Sequence, residues 1–572
     1  MMKGYKNFKA AIYCPVGNLI DLDLDTFEDS FKWIEGHVRV GKVYLETYRH
    51  GTTISREKME KVIEFFKDRG IETSGGITTD APPDGEGGFD PLCYTSKETH
   101  KLLGEVVKLT ASLFDEFILD DFYFTNCRCV SCIEEKGDRT WDEFRTDLMK
   151  KISQDIINTA KKVNPKVKTI IKYPNWYEHY QEAGYNIEDQ PRIFDYVYSG
   201  TETRNPMYTQ QHLPKYLSYF IVRYLENVSN GKNIGGWYDP YECTYNYSSY
   251  AQQAYLTLLA KAGELMMFSL GSLLSPDYSL CIPINGQIFR EMDKYLGKLG
   301  QATGVATYLP FHSQGEDYLH NYLGMIGIPF EPTAHYPEGA SKVFLTQGAT
   351  RDKDIIKKIK TSLLNGSDVI VTSGFLKAAQ DLGFNKELAN VVYTDRKALI
   401  NTYAYSDNGG VSFGGREESS KHIMVPQLEY MTNDTWELAA GFGEDNSFPL
   451  LLKTQYGKGR LFILTVPEDY GDLYNYPKKI LYLIREVFNN NWPVMLDAVS
   501  KLAIFTYDND CFVLHSFQPW YDEARLELKE GFNGLEDLVS GQKYSTRTEG
   551  DKQVVRLRIS PGVNYVFKAI SE

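Results

Sequence analysis

The chain has 572 residues, 42% of them hydrophobic and 24% charged, which is ample apolar material for several cores and excludes wholesale disorder. Its 62 Lys and Arg against 76 Asp and Glu leave a formal charge of −14, so phosphate backbones and anionic lipid repel it, and neither nucleic acid nor membrane is expected as a partner. Aromatic residues reach 14%, with 41 Tyr; flat apolar faces edged by a hydroxyl suit carbohydrate, although most such rings fill cores.

Strand-like and helix-like patterns alternate from the N-terminus. β-rich runs at 8–13, 42–47, 71–77, 116–124, 167–173, 194–199, 234–238 and 264–270 are interleaved with amphipathic stretches at 26–35, 55–69, 96–114, 141–163, 213–227, 247–262 and 288–300. Such β/α units predict an α/β fold, a (β/α)8 TIM barrel over residues 1–312. From 313 to 490 the texture changes. An apolar run at 342–347, a helix at 353–364, a second run at 368–374, a turn into a strand at 456–465 and a helix at 477–489 predict an open α/β layer. This layer resembles the amidotransferase-like (flavodoxin-like) fold. No cysteine occurs between Cys281 and Cys511, which excludes the cysteine nucleophile of an amidotransferase. Alternating runs at 502–507, 512–516 and 554–559 predict a small antiparallel β-sandwich over 491–572. No stretch approaches the ~18 apolar residues of a membrane span. The N-terminus does not read as a signal peptide, because Pro15 breaks the apolar run and Asp21 and Asp23 follow it; localisation stays open.

Barrels of this kind place chemistry on the loops after the strands. The second strand ends on Glu46 and Arg49, the fourth on Asp120 and Asp121, and the fifth on Lys172, Asn175 and Trp176. The sixth ends on Glu202 and Arg204, and the seventh on Trp237, Asp239 and Glu242. Glycoside hydrolysis needs two carboxyl groups across the scissile bond, ~5.5 Å apart for retention and wider for inversion. Adjacent acids raise each other's pKa, so Asp120 and Asp121 suit a proton donor; the alternative is a salt bridge or support for a loop. Asp239, Glu242 and Glu202 are the candidates for the opposite carboxylate. Glu46 and Arg49 are read as substrate ligands, Arg49 for a sugar hydroxyl or carboxylate; the alternative is an ion pair between the two. Lys172, Asn175, Trp176 and Trp237 make a candidate sugar platform with a charged edge.

Cys127, Cys129 and Cys132 form a C-x-C-x-x-C cluster just past the fourth strand, and Cys93 lies on the loop after the third. Neighbouring barrel loops bring these four thiols together, and four thiolates close a tetrahedral site around a structural zinc. The alternative is free or oxidised thiols. Ten His with no H-x-H or H-x-x-x-H pair at the strand ends count against a metal-dependent hydrolase or aldolase.

Cys93-Tyr-Thr-Ser opening a helix, an acidic pair ending the fourth strand, and Cys127-x-Cys129-x-x-Cys132 together resemble the glycoside hydrolase family 42 β-galactosidases. The agreement is close over residues 90–135 and extends to the domain order of the whole chain. The resemblance implies a zinc site on these loops, a middle domain that trimerises, a carbohydrate substrate, and Asp121 at the acid/base position. The family carries Asn-Glu where this chain has Asp120-Asp121. It places its Glu nucleophile on the seventh strand, where this chain has Trp237-Tyr-Asp239-Pro-Tyr-Glu242. A distant member with another sugar specificity is therefore implied. The reading is a glycoside hydrolase acting on an oligosaccharide or polysaccharide fragment. Asp121 is paired first with Asp239 and second with Glu242; in an alternative scheme Glu202 is the acid and the fourth-strand Asp the nucleophile. The contrasting class is a catalytically inactive carbohydrate-binding or assembly protein on the same scaffold.

Overall fold

The computed structural model describes residues 4–81, 91–209, 211–406, 415–443 and 446–571. Among them no helix is long and apolar enough to cross a membrane. The chain divides into two compact units, residues 1–297 and 298–572.

The first unit is a closed parallel barrel. Its strands are β1 (Lys9–Cys14), β2 (Val40–Arg49), β3 (Glu72–Ile77), β4 (Glu116–Leu119), β5 (Lys168–Tyr173), β6 (Tyr196–Gly200), β7 (Asn233–Tyr238) and β8 (Glu264–Phe268). Each pairs with its sequence neighbour, and β1 pairs with both β2 and β8, which closes the ring. Strands such as β1, β4 and β8 read as nearly continuous apolar runs because helices cover one face and the barrel interior the other. The helices follow from their own sequences. Met59, Val62, Ile63 and Phe66 stripe one face of the helix Arg56–Lys67, behind a Ser55 cap that accepts from the Lys58 N–H. Thr140 and Glu143 form a reciprocal capping box at the start of Trp141–Val163.

Ala11, Tyr13, Tyr44, Ile118, Ile170, Tyr198, Trp237 and Met266 fill the barrel interior. At the N-terminal end Lys42 pairs with Glu116 and Glu264, and Tyr44 donates to Glu264 at 2.6 Å, so the bottom of the barrel is a closed polar layer. Strand β3 is Gly-rich for a spatial reason: a Cβ on Gly76 would sit 2.6 Å from the Tyr13 hydroxyl.

Two boundaries differ from the sequence expectation. Strand β4 stops at Leu119 rather than continuing to 124, so both aspartates open the following loop. The barrel unit ends at 297 rather than 312. Residues 302–308 look like a barrel tail but find partners far along the chain. Ala302–Thr303 pairs antiparallel with Thr506 and Tyr507, and Val305–Tyr308 lies between Phe330–Thr333 and Lys342–Leu345.

The second unit holds a mixed nine-stranded sheet and a sandwich. Five parallel strands, in the order Phe330–Thr333, Val305–Tyr308, Lys342–Leu345, Asp368–Thr372 and Gly459–Leu464, form the expected α/β layer. Four long antiparallel strands, Asn446–Tyr456, Thr435–Gly443, Val391–Tyr405 and Gly415–Tyr430, extend it, and these the periodicity does not reveal. The last residues, with Ala302–Thr303 as one edge strand, form a six-stranded and a four-stranded antiparallel sheet around a shared core that includes Ile504, Phe512, Leu526, Val555 and Phe567.

Candidate active site

Side chains alternate across a strand, so residues two places beyond the interior layer also point inward. Glu46 follows Tyr44, Asp120 follows Ile118, Lys172 follows Ile170 and Asp239 follows Trp237 at that spacing. The C-terminal mouth of the barrel is therefore a layer of buried charges resting on the apolar one.

Glu46 is fully buried and fully engaged. It accepts from the Tyr13 hydroxyl at 2.7 Å, the Val16 N–H at 2.7 Å, the Thr78 hydroxyl at 2.5 Å and Arg49 Nε at 3.0 and 3.1 Å. Arg49 reaches on to Asp120 Oδ2 at 2.9 Å, which makes it an internal bridge between two carboxylates. Asp120 also accepts from the Asp121 N–H at 2.7 Å. Burial pushes the Asp120 carboxyl up, but Lys172, Arg49 and the Asp121 N–H outweigh it, and the net shift is downward.

Lys172 is the hub. Its ammonium donates to Asp121 Oδ2 at 2.7 Å and to Glu202 Oε1 at 2.8 Å, and lies 3.5 Å from Asp120 Oδ1. Burial lowers its pKa, but Asp121, Glu202 and Asp120 together hold it above the ordinary lysine value. Burial raises Asp121 to about 8; Lys172 opposes the rise, and the charges of Asp120 and Glu202 add to it. Glu202 is raised as well, first by burial, against Lys172, with Asp239 reinforcing the rise. Gly200 leaves the room that Glu202 needs: a Cβ there would stand 2.6 Å from Oε2. Asn175 donates to the Glu202 carbonyl at 2.7 Å and so fixes the loop rather than the carboxylate.

The structure distributes the remaining expected residues differently. Asp239, the first choice opposite Asp121, is gripped by Arg204 through Nε at 3.0 Å and Nη2 at 2.8 Å, and accepts from the Tyr241 N–H. Both its oxygens are engaged, and of the three candidates for the opposite carboxylate Glu202 is the one that shares Lys172 with Asp121. Glu242 adopts a φ of 57° and approaches Arg204 only to 4.0 Å. Trp237 is no open platform: it is 2% exposed, Lys172 lies 4.1 Å above its ring, and Phe268 stacks at 5.2 Å. Trp176 packs edge-on against Phe124 and Tyr185.

Several residues at the mouth escape the sequence reading. Asp80, three residues past β3, accepts from the His50 N–H at 2.7 Å and pairs with His50 Nδ1 at 2.8 Å. Its strand-end position is the available signal. Tyr208 and Tyr245, on the loops after β6 and β7, stack at 4.6 Å and are 51% and 75% exposed; nothing in their spacing foretells the pair.

Beside this layer, the Sγ atoms of Cys93, Cys127, Cys129 and Cys132 lie within 4.8 Å of one another. Cys93 Sγ is 3.6 Å from that of Cys129 and 3.7 Å from that of Cys132, and all four are free thiols. Thiolates ~2.3 Å from a tetrahedral zinc stand ~3.8 Å apart, so the donor set and its spacing fit that ion.

Residues 1–288 match the family described as probable glycosyl hydrolase, catalytic domain. The chain belongs to that family. Residues 300–469 match the second domain of SSO3021, and 493–568 the probable glycosyl hydrolase C-terminal domain. The uncharacterized protein SSO3021 of Saccharolobus solfataricus is 24% identical over 549 residues, 88% of each chain. Among solved structures, α-L-fucosidase isoenzyme 2 of Paenibacillus thiaminolyticus gives a TM-score of 0.69 at 10% identity over 99% of this chain and 100% of that one. The β-galactosidase of the haloarchaeon Halorubrum lacusprofundi gives 0.65 at 12% identity over 98% and 99%. Gan42B, a family 42 β-galactosidase of G. stearothermophilus, gives 0.64 at 12% identity over 99% of both chains. The chain thus has the architecture of the family 42 β-galactosidases, and at these identities the likeness is one of fold.

Proposed function

We propose that the chain is a retaining glycoside hydrolase in which Asp121 is the proton donor and Glu202 the opposing carboxylate. The observation that carries this reading is the shared ammonium. Two oxygens held by one Lys172 Nζ at 2.7 and 2.8 Å stand at most about 5.5 Å apart, which is compatible with a retaining pair and shorter than the ~6.5–9.5 Å that an inverting pair needs for its water. Asp121, protonated at neutral pH, gives its proton to the glycosidic oxygen as the bond to the anomeric carbon breaks. Glu202 forms a bond to that carbon. Asp121, now a carboxylate beside Lys172, then takes a proton from the water that displaces Glu202. Arg49 and Arg204 hold Asp120 and Asp239 in ion pairs and so keep the neighbouring charges in place.

The test is the anomeric configuration of the first product, read by NMR on a panel of aryl glycosides and uronides. A product of inverted configuration would overturn the pairing. The pH profile is a separate expectation. An acid with a raised pKa works only while it keeps its proton, so kcat/KM should fall on the alkaline side with an apparent value near 8 that belongs to the coupled pair. A profile still rising at pH 9 would remove Asp121 as the acid.

We also propose that Cys93, Cys127, Cys129 and Cys132 hold one structural zinc, which would crosslink the loops after β3 and β4. Elemental analysis of protein purified without chelator should find one zinc per chain, and its removal should lower Tm. Self-association through the middle domain is proposed on the resemblance alone; light scattering that reports a monomer would overturn it.

A further inference from the structure

The four-stranded sheet of the C-terminal sandwich pairs Asp522–Leu528 with Lys552–Ile559, with Glu523 opposite Arg558 and Ala524 opposite Leu557. Alternation sends Ala524, Leu526, Val555, Leu557 and Ile559 into the core and leaves Glu523, Arg556 and Arg558 on the outer face. At the end of this face lies an open groove of about 520 Å³, lined by Tyr521, Asp522, Glu523, Arg556, Leu557 and Arg558. That volume lies in the range of small-ligand sites.

Three features describe what the groove would take. Trp520 and Tyr521 are 58% and 59% exposed, two adjacent large rings that the sandwich does not use for its core. The Arg558 guanidinium lies 4.4 Å from the Tyr521 ring centroid, steadying the ring, and makes no ion pair among the described residues. Arg556 is instead tied to Glu523 at 3.1 Å and to Glu549 at 2.9 and 3.0 Å, an array of planar donors and acceptors. The two acids and two arginines of the lining cancel in charge, so the groove selects neither a polyanion nor a polycation. Apolar ring faces beside planar hydrogen-bonding groups match the C–H face and paired hydroxyls of a pyranose.

We propose that this groove of the C-terminal sandwich is a second carbohydrate site, which binds an uncharged glycan chain through Tyr521 and Arg558, with the exposed ring of Trp520, next to Tyr521 in sequence, extending it. The proposal does not depend on the barrel chemistry. Its test is electrophoresis of the full chain through native gels containing soluble β-glucan, xyloglucan, galactomannan or, as the acidic counterpart, polygalacturonate. At least one neutral polysaccharide should retard the protein. The Trp520→Ala/Tyr521→Ala variant should weaken that interaction by about tenfold or more, as loss of exposed aromatic anchors does. Arg558→Gln, which keeps both rings, should weaken it less. Both variants should keep the parent kcat/KM on a small aryl glycoside, which reads the barrel independently. Retardation by no neutral polysaccharide, equal retardation of parent and both variants, or retardation by polygalacturonate alone would each overturn the proposal.

Discussion

Replacing Asp121 with Asn should lower turnover of a glycoside with a poor leaving group by about 10²–10⁴-fold, the range over which general acid catalysis operates. The change preserves shape and removes the titrating proton. An aryl glycoside whose leaving group needs no protonation should retain its first step and be limited by release of the glycosyl-enzyme. Added azide, which needs no general base, should then accelerate turnover and give a product of retained configuration. Glu202→Gln should behave differently, losing activity on both substrates alike because no carboxylate remains to attack. If Asp121→Asn keeps full activity on an unactivated substrate, or if Glu202→Gln is the variant that spares activated ones, the roles are wrongly assigned. The second outcome exchanges them, as in the scheme with Glu202 as acid.

Lys172→Met carries the second large expectation. The ammonium sits within 3.5 Å of three carboxylates, and its side chain is 2% exposed. Removing one partner from buried ion pairs costs about 3–5 kcal/mol, because the remaining charges have neither water nor a counterion. The sign of the pH dependence follows from the carboxylates. Asp121 and Glu202 already have raised values, and without Lys172 they rise further. A carboxylate whose folded pKa is raised contributes stability that is present below its unfolded value and lost as pH rises through its folded one. The variant should therefore melt close to the parent near pH 4 and fall progressively behind it up to and beyond pH 8. Thermal unfolding across that range decides it. A deficit independent of pH would mean that Lys172 contributes packing over Trp237 and not charge compensation.

The two expectations draw on different kinds of information. That Asp121 stands at the end of a barrel strand is legible in the chain, because eight β/α alternations and the period of two across each strand locate it. The same holds for Glu46, Asp120 and Lys172, each two residues beyond a buried interior position. The ion-pair contacts are not legible. Strand position makes Asp239 the partner of Asp121, yet Arg204, in sequence one more polar residue after β6, takes up both its oxygens. Arg204 has a φ of 51°, a left-handed backbone that turns the side chain in a direction no sequence pattern records. Trp237 differs from its expected role for a related reason. An aromatic at a strand end serves as platform or as floor according to what lies above it, and here Lys172 lies above it.

By itself the amino-acid sequence determined the barrel, the open α/β layer and the terminal β domain, since local periodicity and turn chemistry act within a few residues. It also determined the cysteine set, because C-x-C-x-x-C needs only adjacent loops to converge. Tertiary structure alone decided where the barrel ends, since Ala302 pairs with Tyr507 and Val305 with Phe330, both outside the barrel. It alone revealed the four antiparallel strands added to the middle sheet, and it alone placed Asp121 and Glu202 on one lysine. Electrostatic partners are set by distances across a closed ring, and a buried charge must take whichever counterion the closure brings within hydrogen-bonding reach.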